Sequence, residues 1–419
     1  MKLKNLAWLL TGLLMVGCSS DDDNATESGN TVDGTSVESV LGLTEEQQTM
    51  VAPLNDFSVR LFQQQSSAKG NHSTVIAPLS TAFVLGMVNE GAEGQTSNEI
   101  AAALGMKGKD KATVSQLFAQ YIKAIPSADN DVTVAMANNV SVNKLFSLRE
   151  NYQTAMEKDY GASVFSLDFT TSEATTAVNN WCSQYTRGLI PTITDRLDPN
   201  DVLCLLNAIY FKARWADAFD KSESRGLMFT NGNSPQVLTA MTKTATMQYG
   251  EQRGMQALRL PLAHGHYAMT FVLPSADQEL SAFVRTLTAE QLGALSFSEQ
   301  MVEAYIPVFT TTVDTDLIGL LKGMGITRLF SKGAELVNMV KGDGNLYVTT
   351  MKQNTRLGVD EEGCEGAAVT LAELQMGADI GGKAQEKKFF IANRPFVYYI
   401  SEVQSGTILF MGQFCGDIN

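Results

Sequence analysis

At 419 residues the chain is long enough for one large core or two ordinary domains. A hydrophobic content of 44% and a charged content of 18% are those of a folded chain and not of a disordered one. The net charge of −14 argues against a nucleic-acid partner, because binding the phosphate backbone needs a surplus of Lys and Arg.

The first segment reads as a targeting signal and not as part of the fold. Lys2 and Lys4 give a positive start, Leu6 to Val16 form a short apolar stretch, and Gly17 precedes Cys18. That stretch is short for a membrane span. Met15-Val16-Gly17-Cys18 resembles a bacterial lipobox, with Met15 where Leu is more usual. The resemblance implies a signal peptide over 1–17, lipidation of Cys18 and a membrane partner through the lipid anchor. Ser19-Ser20-Asp21-Asp22-Asp23 resembles the acidic export signal of surface lipoproteins, which implies an outer-membrane, surface-exposed location. Asp21, Asp22, Asp23, Glu27, Asp33 and Glu38 carry no Lys or Arg among them, so residues 18–42 read as an acidic flexible tether.

The folded part is expected over 43–419. Thr44 followed by Glu45 and Glu46 caps a helix running to Ser67. A short strand over Val75–Pro78 leads to helices over Ser80–Val88 and Thr96–Leu104. Val132–Val142 reads as a buried strand, and Glu150–Asp159 and Glu173–Tyr185 as helices. The near-continuous apolar run from Val202 to Lys212 suits a strand buried on both faces. Strands dominate from Met228 to Pro274, with Ala257–Pro261 and Tyr267–Leu273 the clearest. A strand over Ala304–Thr312 precedes a helix over Leu317–Met324. Phe389–Ala392, Phe396–Val403 and Thr407–Phe414 end the chain as strands. Helices early and strands late, with no interdomain linker, give one large α+β domain.

Catalytic chemistry is scarce. The three histidines are His72, His264 and His266; the last two flank a turn with no third metal ligand near in sequence, so they read as solvated. There is no Gly-x-Ser-x-Gly and no His-Glu-x-x-His. Gly381-Gly382-Lys383 lacks the rest of a phosphate-binding loop. Neither a metal nor a cofactor is expected, and the chain does not read as an enzyme. Cys182, Cys204, Cys364 and Cys415 lack Cys-x-x-Cys spacing and read as unpaired small hydrophobes.

The stretch from Glu361 is different. Taken two residues at a time, Cys364, Gly366, Ala368, Thr370, Ala372, Leu374 and Met376 form a small or apolar face. Glu365, Ala367, Val369, Leu371, Glu373 and Gln375 form the other, which holds the charges. That is a strand with one side against a core. Gly363, Gly366 and Gly377 give the same stretch the character of a loop. A segment that reads both ways suggests a conformational switch.

Four blocks resemble the serpin family: Pro78-Leu79-Ser80 continuing to Gly91-Ala92-Glu93-Gly94-Gln95-Thr96; Asn207-Ala208-Ile209-Tyr210-Phe211-Lys212-Ala213-Arg214-Trp215; Val359-Asp360-Glu361-Glu362-Gly363; and Asn393-Arg394-Pro395-Phe396 with Ile408-Leu409-Phe410-Met411-Gly412. The resemblance implies three β-sheets, eight to nine helices and an exposed reactive-centre loop. It implies a monomeric suicide-substrate inhibitor of serine, and also cysteine, endopeptidases. Such an inhibitor is cleaved, trapped as an acyl-enzyme, and inserts its loop into the main sheet as a strand. The alternative is a non-inhibitory binding protein on the same fold. By the family spacing Glu361, Glu362, Gly363, Cys364, Glu365, Gly366, Ala367 and Ala368 form the hinge, and the reactive bond falls within Met376, Gly377 and Ala378. Such a bond suits elastase-, chymotrypsin-, subtilisin- or papain-like proteases over trypsin-like ones. The family's shutter under the main sheet is carried by Ser80 and Asn207, with Gln353 at a position usually held by His and Ala77 at one usually held by Ser. At the breach Trp215 is kept, while Val308 stands where many members have Lys, which takes a partner from Glu361.

Overall fold

Thr44 starts the fold as a capping box. It accepts from the Gln47 amide at 3.3 Å, and the Gln47 side chain accepts from the Thr44 N–H at 2.9 Å. Leu41, just ahead, is fully buried, and its carbonyl accepts from Gln120 Nε2 at 2.6 Å. Packing therefore begins inside the segment read as tether. The structure is a computed structural model that describes residues 40–365 and 387–417, apart from 189, 233, 253 and 343–345. The expected signal peptide, Cys18, the hinge residues Gly366, Ala367 and Ala368, and the candidate bond at Met376, Gly377 and Ala378 lie outside the described residues.

In chain order the elements are α1 (Glu45–Lys69), β1 (Thr74–Ile76), α2 (Pro78–Gly91), α3 (Gly94–Ala103), α4 (Lys111–Ala124), β2 (Val132–Asn143), α5 (Glu150–Lys158), β3 (Ser163–Leu167), α6 (Ser172–Tyr185) and β4 (Leu203–Arg214). There follow β5 (Arg225–Asn231), β6 (Ser234–Gln252), β7 (Met255–Leu262), β8 (Tyr267–Pro274), α7 (Leu280–Thr286), α8 (Ala289–Gly293), β9 (Ser298–Pro307), β10 (Phe309–Asp316) and α9 (Leu317–Gly323). The last are β11 (Lys352–Val359), β12 (Gly363–Glu365), β13 (Lys388–Ile391), β14 (Phe396–Glu402) and β15 (Ile408–Phe414).

Six strands form one sheet in the order β10-β11-β12-β4-β2-β3. The other nine run β1-β15-β14-β8-β7-β6-β9-β13, with β5 also on β6. β6 is 19 residues long and serves two layers: it pairs β5 over Ser234–Ala240, β9 over Ala240–Tyr249 and β7 only through Gln248–Gln252. The nine-stranded array thus divides in two, and the fold is α+β with three sheets and nine helices among the described residues.

The run expected to be buried on both faces is β4, and its two faces meet two cores. Ile209, Phe211 and Ala213 join the main cluster, where α2 is buried almost all round. Leu206 and Ala208 meet Ala174, Val178, Trp181 and Cys182 of α6 in a second cluster. The strand expected over Ala304–Thr312 is instead the junction of β9 and β10, broken at Val308, which leaves both ladders and bonds to the Thr239 carbonyl at 2.9 Å. The four described cysteines are free, and three of them are fully buried.

His264 is solvated, as expected, but it also has partners. Its ring is 61% exposed, but Nδ1 lies 2.8 Å from Asp129 Oδ1 and Nε2 3.4 Å from Asp131 Oδ2. Its own N–H donates to Asp129 Oδ2 at 3.1 Å. The β7–β8 turn is thereby tied to the residues that open β2. The hydrogen bond to Asp129, then its charge, raise the His264 pKa above the ordinary histidine value. Burial works against ionisation of Asp129, but the bonds it accepts from His264 and from two backbone amides outweigh it and leave its pKa lowered. A raised histidine pKa stabilises fully below the unfolded value and is lost as pH rises through the folded one. The melting-temperature difference between wild type and His264→Gln should therefore be larger near pH 6 than near pH 9, a window set about the ordinary histidine pKa of about 6.5. Equal differences at the two pH values would show that the pair carries no charge.

Candidate functional site

The centre of the six-stranded sheet is the site. β11 and β4 are its middle strands, yet they make no pairing with each other among the described residues. They are joined only through the three residues of β12. β12 is the start of the hinge, so this part of the expected exposed loop is already a strand. Gly358 and Val359 of β11 face Glu365 and Cys364, while Arg214 and Ala213 of β4 face Gly363 and Cys364.

Local chemistry makes this hairpin. Asp360 Oδ1 accepts from the Glu362 and Gly363 amides at 2.9 and 3.1 Å, and the Asp360 N–H donates to the Gly363 carbonyl at 3.0 Å. Gly363 must be glycine, since a Cβ there would overlap the Ala213 carbonyl. Alternation then turns Cys364 inward, where it is fully buried in the main cluster, and turns Glu365 to the opposite face. Burial pushes the Cys364 thiol pKa well up.

At the upper end of the gap, the breach, Trp215 Nε1 donates to the Asp360 carbonyl at 2.8 Å and the Trp215 N–H to the Glu362 carbonyl at 2.9 Å. Glu361 is buried and accepts from Ser224 Oγ at 2.5 Å. A hydroxyl thus serves Glu361, with Val308 standing where the family often has a cation. Ser224 carried no sequence signal, because it is 137 residues away.

Halfway down, the shutter is complete without a histidine. Gln353 of β11 grips the backbone of one residue from both sides: the Ala77 N–H donates to its Oε1 at 2.9 Å, and its Nε2 donates to the Ala77 carbonyl at 3.0 Å. Its Nε2 also reaches Thr81 Oγ1 at 3.1 Å and Ser80 Oγ at 3.4 Å. Ser80 Oγ donates to Asn207 Oδ1 on β4, Asn207 Nδ2 to Asn138 Oδ1 on β2 at 2.7 Å, and Asn138 Nδ2 to the Tyr160 carbonyl at 2.7 Å. Ser80, Asn207 and Gln353 therefore meet in one network, and Trp215 lies apart from them at the breach. Thr81 and Asn138 are members that the sequence reading missed; Thr81, next to Ser80 on α2, was the legible one.

Below the shutter, the foot of β4 and the segment ahead of β11 enclose a cavity of about 520 Å³ lined by Asp201, Leu203, Leu205, Leu346, Tyr347 and Met351. The sheet is thus clamped at mid-height, plugged above by β12, and open below.

Comparison with known proteins bears on this arrangement. The family model Serpin (serine protease inhibitor) matches residues 52–416. Serpin-Z7 of Hordeum vulgare is 31% identical over 88% of this chain and 97% of its own length. Neuroserpin of Gallus gallus is 29% identical over 85% of this chain and 89% of its own. Among solved structures, the native thermophilic serpin tengpin aligns with a TM-score of 0.79 at 25% identity, covering 90% of this chain and 95% of its own. Human thyroxine-binding globulin aligns with a TM-score of 0.78 at 22% identity, covering 89% of this chain and all of its own, a likeness of fold alone. The family is described as one of serine protease inhibitors, and that globulin as a protein that binds thyroxine. With its family model spanning nearly all of the folded chain and its sheet built around an unpaired centre, the protein belongs to the serpin family.

Proposed function

We propose that this chain is a suicide-substrate inhibitor of serine, and by the same acyl chemistry cysteine, endopeptidases, and that it works by inserting its loop between β11 and β4. The observation that carries the reading is β12: insertion has a strand already begun between two edges that do not pair with each other. The backbone donors and acceptors along those edges are what an entering strand would satisfy. Continuing the antiparallel register from Cys364 opposite Ala213 and Val359 would bring Thr370 opposite both Asn207 and Gln353. The inward face would then bring the Thr370 hydroxyl to the shutter. The same register would set Leu374 beside Leu203, the first residue of β4, and carry Met376 toward the cavity at the foot. By this register β11 would end opposite Leu371 and β4 opposite Leu374, so insertion would run out of sheet two residues before Met376. This supports a reactive bond within Met376–Ala378, with an elastase-, chymotrypsin-, subtilisin- or papain-like target. Cleavage at Lys383 would need six more residues, about 20 Å of strand at about 3.3 Å each.

Location is a further part of the proposal: a lipid on Cys18 would hold the inhibitor at a bacterial outer surface, supported by the lipobox-like Met15–Cys18 and the acidic run after it. Incorporation of a labelled fatty acid should be seen in the intact chain and lost in Cys18→Ser.

The inhibitor reading is tested by mixing the protein with elastase-, subtilisin-, papain- and trypsin-like proteases. An SDS-stable complex with one of the first three is expected, releasing a C-terminal fragment that begins at Gly377 or Ala378. Cleavage by all four without trapping overturns inhibition for those classes, and a fragment beginning at Ala384 overturns the register argument. Gln353→Ala should lower stability by about 1–3 kcal/mol for each buried polar group left unpaired. The same variant should convert faster to a loop-inserted, heat-resistant form. Urea denaturation and native gels measure the two effects, and a change below about 0.5 kcal/mol, the ordinary surface range, would remove Gln353 from the clamp.

A further inference from the structure

The face of β12 that does not enter the core is also held. Glu365 is 18% exposed, and both of its oxygens are engaged by β4: Tyr210 donates its hydroxyl to Oε1 at 3.1 Å, and Lys212 Nζ lies 2.6 Å from Oε2. Tyr210 and Lys212 stand two residues apart on β4 and so share a face, the side on which Leu206 and Ala208 meet α6. The Arg187 guanidinium, from the connection after α6, lies 5.6 Å from the centre of the Tyr210 ring and packs over it. Burial and then the neighbouring Glu365 push the Tyr210 pKa up to about 12, so the phenol keeps the proton it donates.

β12 needs such a hold. A three-residue strand has few ladder bonds, and strand ends fray. Each carboxylate oxygen here takes one charge-assisted bond, the stronger kind of hydrogen bond.

We propose that Tyr210 and Lys212 are positioning residues that latch the hinge into the sheet through Glu365, fixing the register from which the loop inserts. The role in inhibition rests on the reading above, but the latch itself does not. Because Cys364 keeps its place opposite Ala213 as further residues follow, the latch does not break during insertion; it supplies a formed nucleus. Losing it frees the hinge, slows the first pairing, and leaves more time for the protease to complete hydrolysis.

Cys364 gives a readout that needs no protease. Its thiol is fully buried while β12 is in the sheet and is exposed when β12 leaves. The intact chain is labelled with a maleimide under native conditions, and labelling is followed at each cysteine by peptide mass spectrometry. In the double variant Tyr210→Phe/Lys212→Met, Cys364 should label about tenfold faster or more, the scale set by losing hydrogen bonds to a charged group. Cys182 and Cys415 should stay protected, and Lys212→Arg should keep Cys364 protected. Glu365→Gln leaves β4 untouched and should move Cys364 the same way; it decides the matter if the double variant exposes every thiol. With a trapped protease, the same variants should raise the number of inhibitor molecules consumed per protease. Unchanged Cys364 labelling in Glu365→Gln, or in a folded double variant, overturns the latch. Faster labelling with no protease trapped by any form would keep the latch and sink the inhibitor reading.

Discussion

The arrangement depends on one constraint: β11 and β4 must lie side by side without pairing to each other. A sheet interior ordinarily closes on its own ladder, because buried backbone groups without partners are costly. Here cohesion comes from a third element. Gln353 ties β11 to the peptide just ahead of α2, and Ser80 on the first turn of that helix ties β4 through Asn207. Both middle strands are therefore referenced to α2, whose residues are buried almost throughout. On the proposed mechanism, a strand entering between them would exchange only a few polar bonds and would leave the hydrophobic packing of α2 in place.

The chemical nature of these ties sets where pH can act. The shutter is built of amides, hydroxyls and a peptide group, none of which titrates in the ordinary range. At the breach Glu361 meets a serine. A histidine contact lies to one side, where His264 joins Asp129 and Asp131 just ahead of β2. Val132 opens β2 and faces Ala213, which in turn faces Cys364, so the histidine sits at the edge of the same row of residues as the hinge.

Much of the fold was legible because its signals are local. Thr44 and its capping box, the apolar run of β4 and the closing strands all follow from neighbours in sequence. What escaped was decided at a distance. β11 reads Lys-Gln-Asn-Thr-Arg-Leu-Gly-Val, too polar to suggest a central strand, because Gln353 and Thr355 face a hydrogen-bond network where a core strand would carry apolar residues. The His264 partners lie some 135 residues away. α4 is an exception, missed although Val114, Leu117, Phe118 and Tyr121 recur at helical spacing, and Lys111 at its start turns in to donate to the Ala92 carbonyl. The site itself was half legible: the alternation from Cys364 gave the faces of β12, but the entry of Gly363–Glu365 into the sheet depends on the Ala213 backbone, which no local pattern encodes.

The parity of β12 explains why its register is so well defined. Slipping by one residue would turn Glu365 toward the main cluster and Cys364 toward Tyr210 and Lys212. The first change would bury a carboxylate among hydrophobic side chains, and the second would strip two donors of their acceptor. Slipping by two would keep the faces, but it would remove Gly363 from the one position where only a missing side chain lets the hinge pass the Ala213 carbonyl. Faces and glycine together admit a single alignment. On the proposed insertion, the register of any strand that follows would be fixed before a protease arrives, and the lengths of β4 below Ala213 and of β11 below Val359 would set how much of the loop the sheet could take up.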